Sequence, residues 1–188
     1  MELVIPLTKL TLTSGVTYGY VHRQPTDSKK PTILFIHGFP SAAFDWRSQI
    51  EYFSKAGYGI LAPDLLAYSS SDKPLDPHEY GFRKMASEVA EILDHKQIKK
   101  VHGVDHDLGS VLLSRLVNYH SDRFYSYSFL SVGYAAPAIF DIDAALAASV
   151  AQVGFERFGF WKFLIGDDSV ELMKHHVCLY FLFGDQHS

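Results

Sequence analysis

The sequence predicts an α/β protein: a mostly parallel β-sheet flanked by helices, with a partial helical lid attached. Three observations carry this. The runs at residues 32–36 and 59–64 are apolar without alternation, as expected of strands buried on both faces. Helical periodicities lie between such runs, so strands and helices alternate along the chain. The run Lys100-Val101-His102-Gly103-Val104-Asp105 leads into His106-Asp107-Leu108-Gly109 and then directly into a helical segment.

Taken in order, residues 3–12 and 16–23 read as two strands joined by the turn Thr13-Ser14-Gly15. A polar, proline-flanked loop at 25–31 leads into the buried run at 32–36. Trp46, Ile50 and Phe53 recur at helical spacing and stop before Gly57. Pro63 suits the end of the next strand better than its middle. Phe82, Met85, Val89, Ile92 and Leu93 mark one face of a second helix. A strand at 100–104, the helix from Gly109 and a strand at 124–132 complete the core, assigned to residues 1–133. Beyond it, Ile142, Leu146 and Val150 form a helical stripe and an aromatic cluster runs from Phe155 to Phe163. Residues 134–176 are assigned to the lid and 177–188 to an atypical tail.

Composition bounds the function. The chain has 188 residues, 47% of them hydrophobic and 20% charged, with a formal charge of −4. These values fit an ordinary globular protein and give no footprint for nucleic acid or an anionic membrane. Cys178 is the only cysteine, so no disulfide and no thiolate cluster forms within the chain. No run approaches the roughly 20 apolar residues of a membrane span, and the N-terminus is a poor signal peptide. The expected location is cytoplasmic.

The chemistry centres on Asp107. A strand–turn–helix bend lifts one side chain off the end of a parallel sheet toward a substrate, and here the lifted side chain is a carboxylate. It is ionised at neutral pH and needs no base to act as a nucleophile. The product of its attack is an ester, which water must then cleave.

Three motifs resemble those of the α/β-hydrolase superfamily, specifically its epoxide hydrolase-like branch. His37-Gly38-Phe39-Pro40 resembles the family's HGxP turn. The stretch Asp64-Leu65-Leu66-Ala67-Tyr68-Ser69-Ser70-Ser71-Asp72-Lys73-Pro74 is similar to its D-x-x-G-x-G-x-S-D-K-P segment. His106-Asp107-Leu108-Gly109 resembles its H-D-W-G elbow with one substitution. The resemblance runs from about Thr8 to about Met173. It implies that Asp107 is the nucleophile and that the N–H groups of Phe39 and Leu108 form an oxyanion hole. Leu108 suits that role because first-turn amides lack helical partners and the helix dipole favours negative charge. His37, Gly38, Pro40 and His106 would shape the site, and Trp161 would do so from the lid. The implied activity opens an epoxide to a diol through an aspartyl ester, with no cofactor and no metal, on a small apolar substrate.

The sequence departs from the family at several points. Asp105 stands two residues before the nucleophile, where the family has a small residue; facing inward, it would raise the proton affinity of Asp107. Ala67 and Ser69 replace turn glycines, at a cost of about 1 kcal/mol each where the backbone needs positive φ. Leu108 replaces a tryptophan, which speaks against a haloalkane dehalogenase. The family's lid tyrosine, the acid for the leaving alkoxide, has no counterpart around Arg157-Phe158-Gly159-Phe160-Trp161; Tyr134 and Tyr180 are the candidate donors. The family's catalytic histidine follows the last strand of the sheet, so the resemblance implies a C-terminally truncated chain. The tail Val177-Cys178-Leu179-Tyr180-Phe181-Leu182-Phe183-Gly184-Asp185 imitates a further strand and acidic turn, which would make Asp185 the orienting acid and His187 its neighbour, with no helix or strand between them to bring His187 over Asp107.

Competing readings are plain. Asp107 is otherwise an N-cap, and haloacetate dehalogenase chemistry would use the same carboxylate. A catalytically impaired remnant would act only by binding, including as a homodimer through an exposed sheet edge. His102 and His106, four apart on a strand, lie about 13 Å from each other and cannot share one metal ion. Asp141 and Asp143 read as solvated lid residues, His175 and His176 as surface histidines.

Overall fold

The computed structural model describes residues 6–138 and 140–175. Among the described residues six strands form one sheet in the order β1-β2-β4-β3-β5-β6. They are β1 (Thr8–Thr11), β2 (Thr17–Arg23), β3 (Thr32–Ile36), β4 (Gly59–Pro63), β5 (Val101–His106) and β6 (Phe124–Leu130). The hairpin β1–β2 and the pair β2–β4 are antiparallel, while β4, β3, β5 and β6 run parallel. Parallel neighbours need crossovers, which α1 (Arg47–Lys55), α2 (Phe82–His95) and α3 (Leu108–Tyr119) supply.

Side-chain alternation explains why β3 is apolar on both faces from Ile33 to Ile36. Ile33 and Phe35 pack with Trp46 and Ile50 around α1. Leu34 and Ile36 point the other way, joining Met85, Val89 and Ile92 of α2 and Leu112, Leu113 and Leu116 of α3. Both faces are covered by helix, and every residue of β3 is buried. Pro63 closes β4, where its missing N–H removes no interior ladder bond. A buried polar contact ties the hairpin to α2: the Tyr18 hydroxyl donates to Glu88 Oε2 at 2.8 Å.

The last strand differs from expectation. β6 ends at Leu130, two residues earlier than its sequence suggests, and most of it is exposed. It is the terminal strand of the described sheet, so its apolar composition is not matched by a covering layer among the described residues.

The loop after β4 bears out a strain argument. Ala67 and Ser69 have φ of 75° and 44°, in the left-handed region that Cβ disfavours. Ala67→Gly and Ser69→Gly are each expected to stabilise the fold by about 1 kcal/mol, together raising Tm by several degrees. Thermal denaturation checks this; unchanged or lowered Tm in both variants would show that the loop is not strained.

The chain divides into two compact units, the second beginning at Ala138. This lies a few residues beyond the expected boundary at 133. The reason is local: the Ser114 hydroxyl accepts from Ala135 N–H at 2.9 Å and Arg115 donates to Ala135 O at 2.7 Å, tying residues 134–135 to α3. In the second unit, α4 (Ile142–Val153) starts at Asp141, whose carboxylate caps it by accepting from Ala144 N–H at 3.0 Å. The face it buries is set by Leu146 and Ser149, while Val150 is exposed, so the stripe is rotated from the one expected. The short α5 (Gly159–Leu164) carries Trp161, with the rings of Phe140, Phe158 and Phe160 around it. Asp143 is exposed and pairs with Lys162 at 2.6 Å.

Candidate active site

β5 reaches His106, and α3 begins at Leu108, leaving Asp107 alone to make the turn. Its backbone pays for that sharp change of direction with φ 54° and ψ −119°, a strained conformation for a residue with a Cβ. The bend is fixed from both sides. Asp107 N–H donates to Leu130 O of β6 at 3.2 Å, and Ser110 N–H donates back to Asp107 O at 3.0 Å.

Two glycines make room for it. A Cβ on Gly38 would lie 2.6 Å from both Asp107 Cβ and His106 O; one on Gly109 would lie 2.7 Å from His37 O. The loop after β3 and the start of α3 therefore approach backbone to backbone. That closeness brings Phe39 N–H to 3.0 Å from Asp107 Oδ1. Among the described residues no hydrogen bond reaches the other oxygen, Oδ2. Leu108 is the first helical residue, where N–H groups have no intrahelical acceptor. Pro40 follows Phe39 through a cis peptide bond, and both residues are exposed.

His37 is buried and fully engaged. Leu65 N–H donates to Nε2 at 2.9 Å, so Nε2 is unprotonated and Nδ1–H donates to Gly38 O at 2.9 Å. Burial pushes its pKa below the ordinary imidazole value, against that hydrogen bond and the charges of Asp64 and Asp45. The ring locks the turn to the β4 loop. Asp64 supports the same region by accepting from Ala43 N–H at 2.9 Å and from Ser70 Oγ at 3.2 Å. His106 is exposed beside the bend.

Asp105 does not face the substrate side. Alternation along β5 turns it toward α3, where it is fully buried and accepts from the Ser110 hydroxyl. Burial pushes its carboxyl up to about 6, against the Ser110 bond, a Leu130 backbone bond and the His106 charge. The proton affinity raised by this departure is thus that of Asp105 itself.

Other candidates fall elsewhere. The Tyr134 hydroxyl donates to Asn118 Oδ1 at 2.9 Å. Asn118 is ten residues along α3 from Leu108, about 15 Å of helix, so Tyr134 is not placed to protonate an alkoxide at Asp107. Trp161 belongs to the second unit. Tyr180, Asp185 and His187 lie outside the described residues. His102 bonds Ser126 Oγ at 2.7 Å, and among the described residues no cluster of metal-binding side chains forms. His175 meets Glu171 at 2.9 Å on an exposed face. Sequence reasoning did not foresee that Ser110, set aside because it lies inside the helix, is the partner of Asp105.

An acidic residue at a strained strand–helix bend, facing a backbone N–H from the loop after the central strand, defines a class of protein. The profile of the α/β-hydrolase fold matches residues 31–158, and the chain belongs to that family. Within it, the chain is 32% identical over 127 residues to epoxide hydrolase A of Mycobacterium tuberculosis, covering 68% of this chain and 39% of that protein. It is 35% identical over 104 residues to epoxide hydrolase 3 of Siraitia grosvenorii, covering 55% of this chain and 33% of that one. The crystal structure of epoxide hydrolase VrEH1 from Vigna radiata superposes with a TM-score of 0.68 at 26% identity, over 77% of this chain and 46% of that chain. The chain spans between a third and two fifths of the length of these two curated relatives. Among the described residues no helix is long and apolar enough to cross a membrane.

Proposed function

We propose that Asp107 opens a small apolar epoxide through an aspartyl ester, giving a diol. The observation that carries this reading is the 3.0 Å hydrogen bond from Phe39 N–H to Asp107 Oδ1. It orients the carboxylate and leaves Oδ2 for attack. In the first step Oδ2 forms a bond to an epoxide carbon, the ring C–O bond breaks, and the departing oxygen takes a proton from solvent water. The product is a hydroxyalkyl ester whose carbonyl oxygen is Oδ1, already beside Phe39 N–H. In the second step water adds to that carbonyl carbon, giving up a proton to solvent, and the negative charge builds on Oδ1. Phe39 N–H, joined by Leu108 N–H at the start of α3, stabilises it as an oxyanion hole. Collapse of the intermediate releases the diol and restores the carboxylate. His37 takes no proton in this scheme, because both ring nitrogens are committed to the backbone.

Intact-mass measurement after exposure to a terminal aryl epoxide tests the first step. The expected result is one added epoxide, mapped by peptide sequencing to Asp107, or a diol that forms in its place. Modification confined to cysteine or histidine side chains would overturn the proposal. Chloroacetate in a parallel assay distinguishes the related halide-displacing chemistry: chloride released faster than diol would favour it.

The alternative reading, a catalytically impaired remnant that acts only by binding, includes self-association at the outer edge of β6. Tyr125, Tyr127 and Leu130 are exposed there, on a strand with one unpaired edge among the described residues. Size-exclusion chromatography with light scattering is expected to show a dimer that Tyr127→Lys weakens; a monomer at all concentrations would remove this part.

A further inference from the structure

β3, β5 and β6 run parallel, so their first residues meet at the end of the sheet opposite Asp107. A cleft of about 610 Å³ opens there, between the loop before β3, the loop before β5 and Tyr125 of β6. Five lysines line it: Lys29, Lys30, Lys96, Lys99 and Lys100. No carboxylate does, although the chain as a whole carries a formal charge of −4. Three of the ammonium groups are held over tyrosine rings: Lys30 lies 4.8 Å from the Tyr58 centroid, Lys96 5.2 Å from Tyr20 and Lys100 5.8 Å from Tyr125. Such contacts fix cations without neutralising them. Their field is felt nearby, since burial and the Lys96 charge together push the His22 pKa below its ordinary value. Of the acids nearby, Asp94 in the adjoining hollow pairs with Arg123 at 2.7 Å, Asp27 accepts from the Lys29 backbone N–H at 2.9 Å, and Asp122 lines that hollow beside Lys99 and Lys100.

We propose that this cleft binds a small, multiply charged phosphate compound, such as a polyphosphate or the phosphate tail of a nucleotide. Lys30 Nζ also donates to Ala56 O at 2.5 Å, but no carboxylate stands among the lining residues, and an anion of several charges is attracted by all five lysines together. The cleft is shallow and open, and its volume of about 610 Å³ accommodates a small molecule. His102 and Tyr125, whose rings are 5.4 Å apart, give an attached organic group something to pack on. The site is separate from Asp107 and owes nothing to the chemistry proposed there.

Calorimetric titration with inorganic tripolyphosphate tests it, with ATP as a second arm. The expected result is saturable one-to-one binding that weakens about tenfold between about 50 and 300 mM salt, together with a rise in Tm on ligand addition. Tighter binding of ATP than of tripolyphosphate would assign the nucleotide source; equal binding would assign the phosphate chain alone. No hydrogen bond or ion pair among the described residues uses the Nζ of Lys29 or Lys99, so Lys29→Glu with Lys99→Glu leaves the fold intact. That double variant is expected to lose affinity at least tenfold while still being modified at Asp107. Absence of saturation up to about 10 mM, undiminished binding by the variant, or preference for a single-stranded oligonucleotide with several chains per strand would each overturn the proposal.

Discussion

Asp107→Asn is expected to abolish epoxide capture, lowering the rate of ester formation by about four orders of magnitude or more. Asparagine keeps the size of the side chain and an oxygen at the position that accepts from Phe39 N–H at 3.0 Å. It also tolerates positive φ better than most residues, which matters at φ 54°. What it loses is the charge on the attacking oxygen. The variant should therefore fold, keep the parent's Tm within a degree or two, and gain no mass from an epoxide. Asp107→Gly provides the complementary readout. It removes the nucleophile as well, but relieves a backbone strain of about 1–3 kcal/mol, so it should be inactive and more stable than the parent. A protein that is modified as fast with asparagine at 107 as with aspartate would place the reactive group elsewhere. A glycine variant that is less stable would show that the aspartate side chain holds the bend together rather than being held by it.

The fold was legible in the sequence where burial on both faces leaves an apolar run, as in Ile33–Ile36 of β3 and in β4, and where a helical period persists, as in α2. The bend at Asp107 was legible for a different reason: the close backbone approach demands Gly38 and Gly109 at fixed places, and those residues are visible as motifs. The strain at Ala67 and Ser69 could be anticipated because glycine is what positive φ ordinarily requires. What was not legible depends on pairing between distant segments. Nothing near Tyr134 announces that Asn118 takes its hydroxyl, or that Ser114 and Arg115 hold Ala135 and move the unit boundary. The apolar composition of β6 gives no sign that most of the strand is exposed, because the sequence records what a strand is made to pack against and not whether a neighbour is present. The five lysines of the lower cleft come from two loops more than sixty residues apart, and the overall charge of −4 concealed their convergence.

Asp105→Asn is expected to remove a pH-dependent weakness from the fold. The carboxyl of Asp105 is fully buried, its Oδ1 accepts from the Ser110 hydroxyl, and the Leu130 backbone also acts on it. Burial is the largest influence and raises its pKa from 3.8 to about 6. Between those two values the folded chain holds a proton that the unfolded chain has released, so stability falls as pH rises through this window. The stabilising contribution is complete below the unfolded value and gone above the folded one, a difference of about 3 kcal/mol. Other carboxylates add slopes of their own, so the informative quantity is the difference between parent and variant. Asparagine keeps an oxygen for Ser110 and cannot ionise. It should therefore gain stability relative to the parent as pH rises from about 4 to about 7, by less than the full difference because its amide N–H groups also need partners. Urea denaturation at several pH values measures this. Parallel pH profiles for the two proteins would show that Asp105 does not titrate inside the fold. Because Asp105 faces α3 and not the attacking oxygen, the variant should still be captured at Asp107. The buried carboxyl and the half-buried one, two residues apart where β5 ends, would then be separable: one governs how stable the bend is, the other what it does.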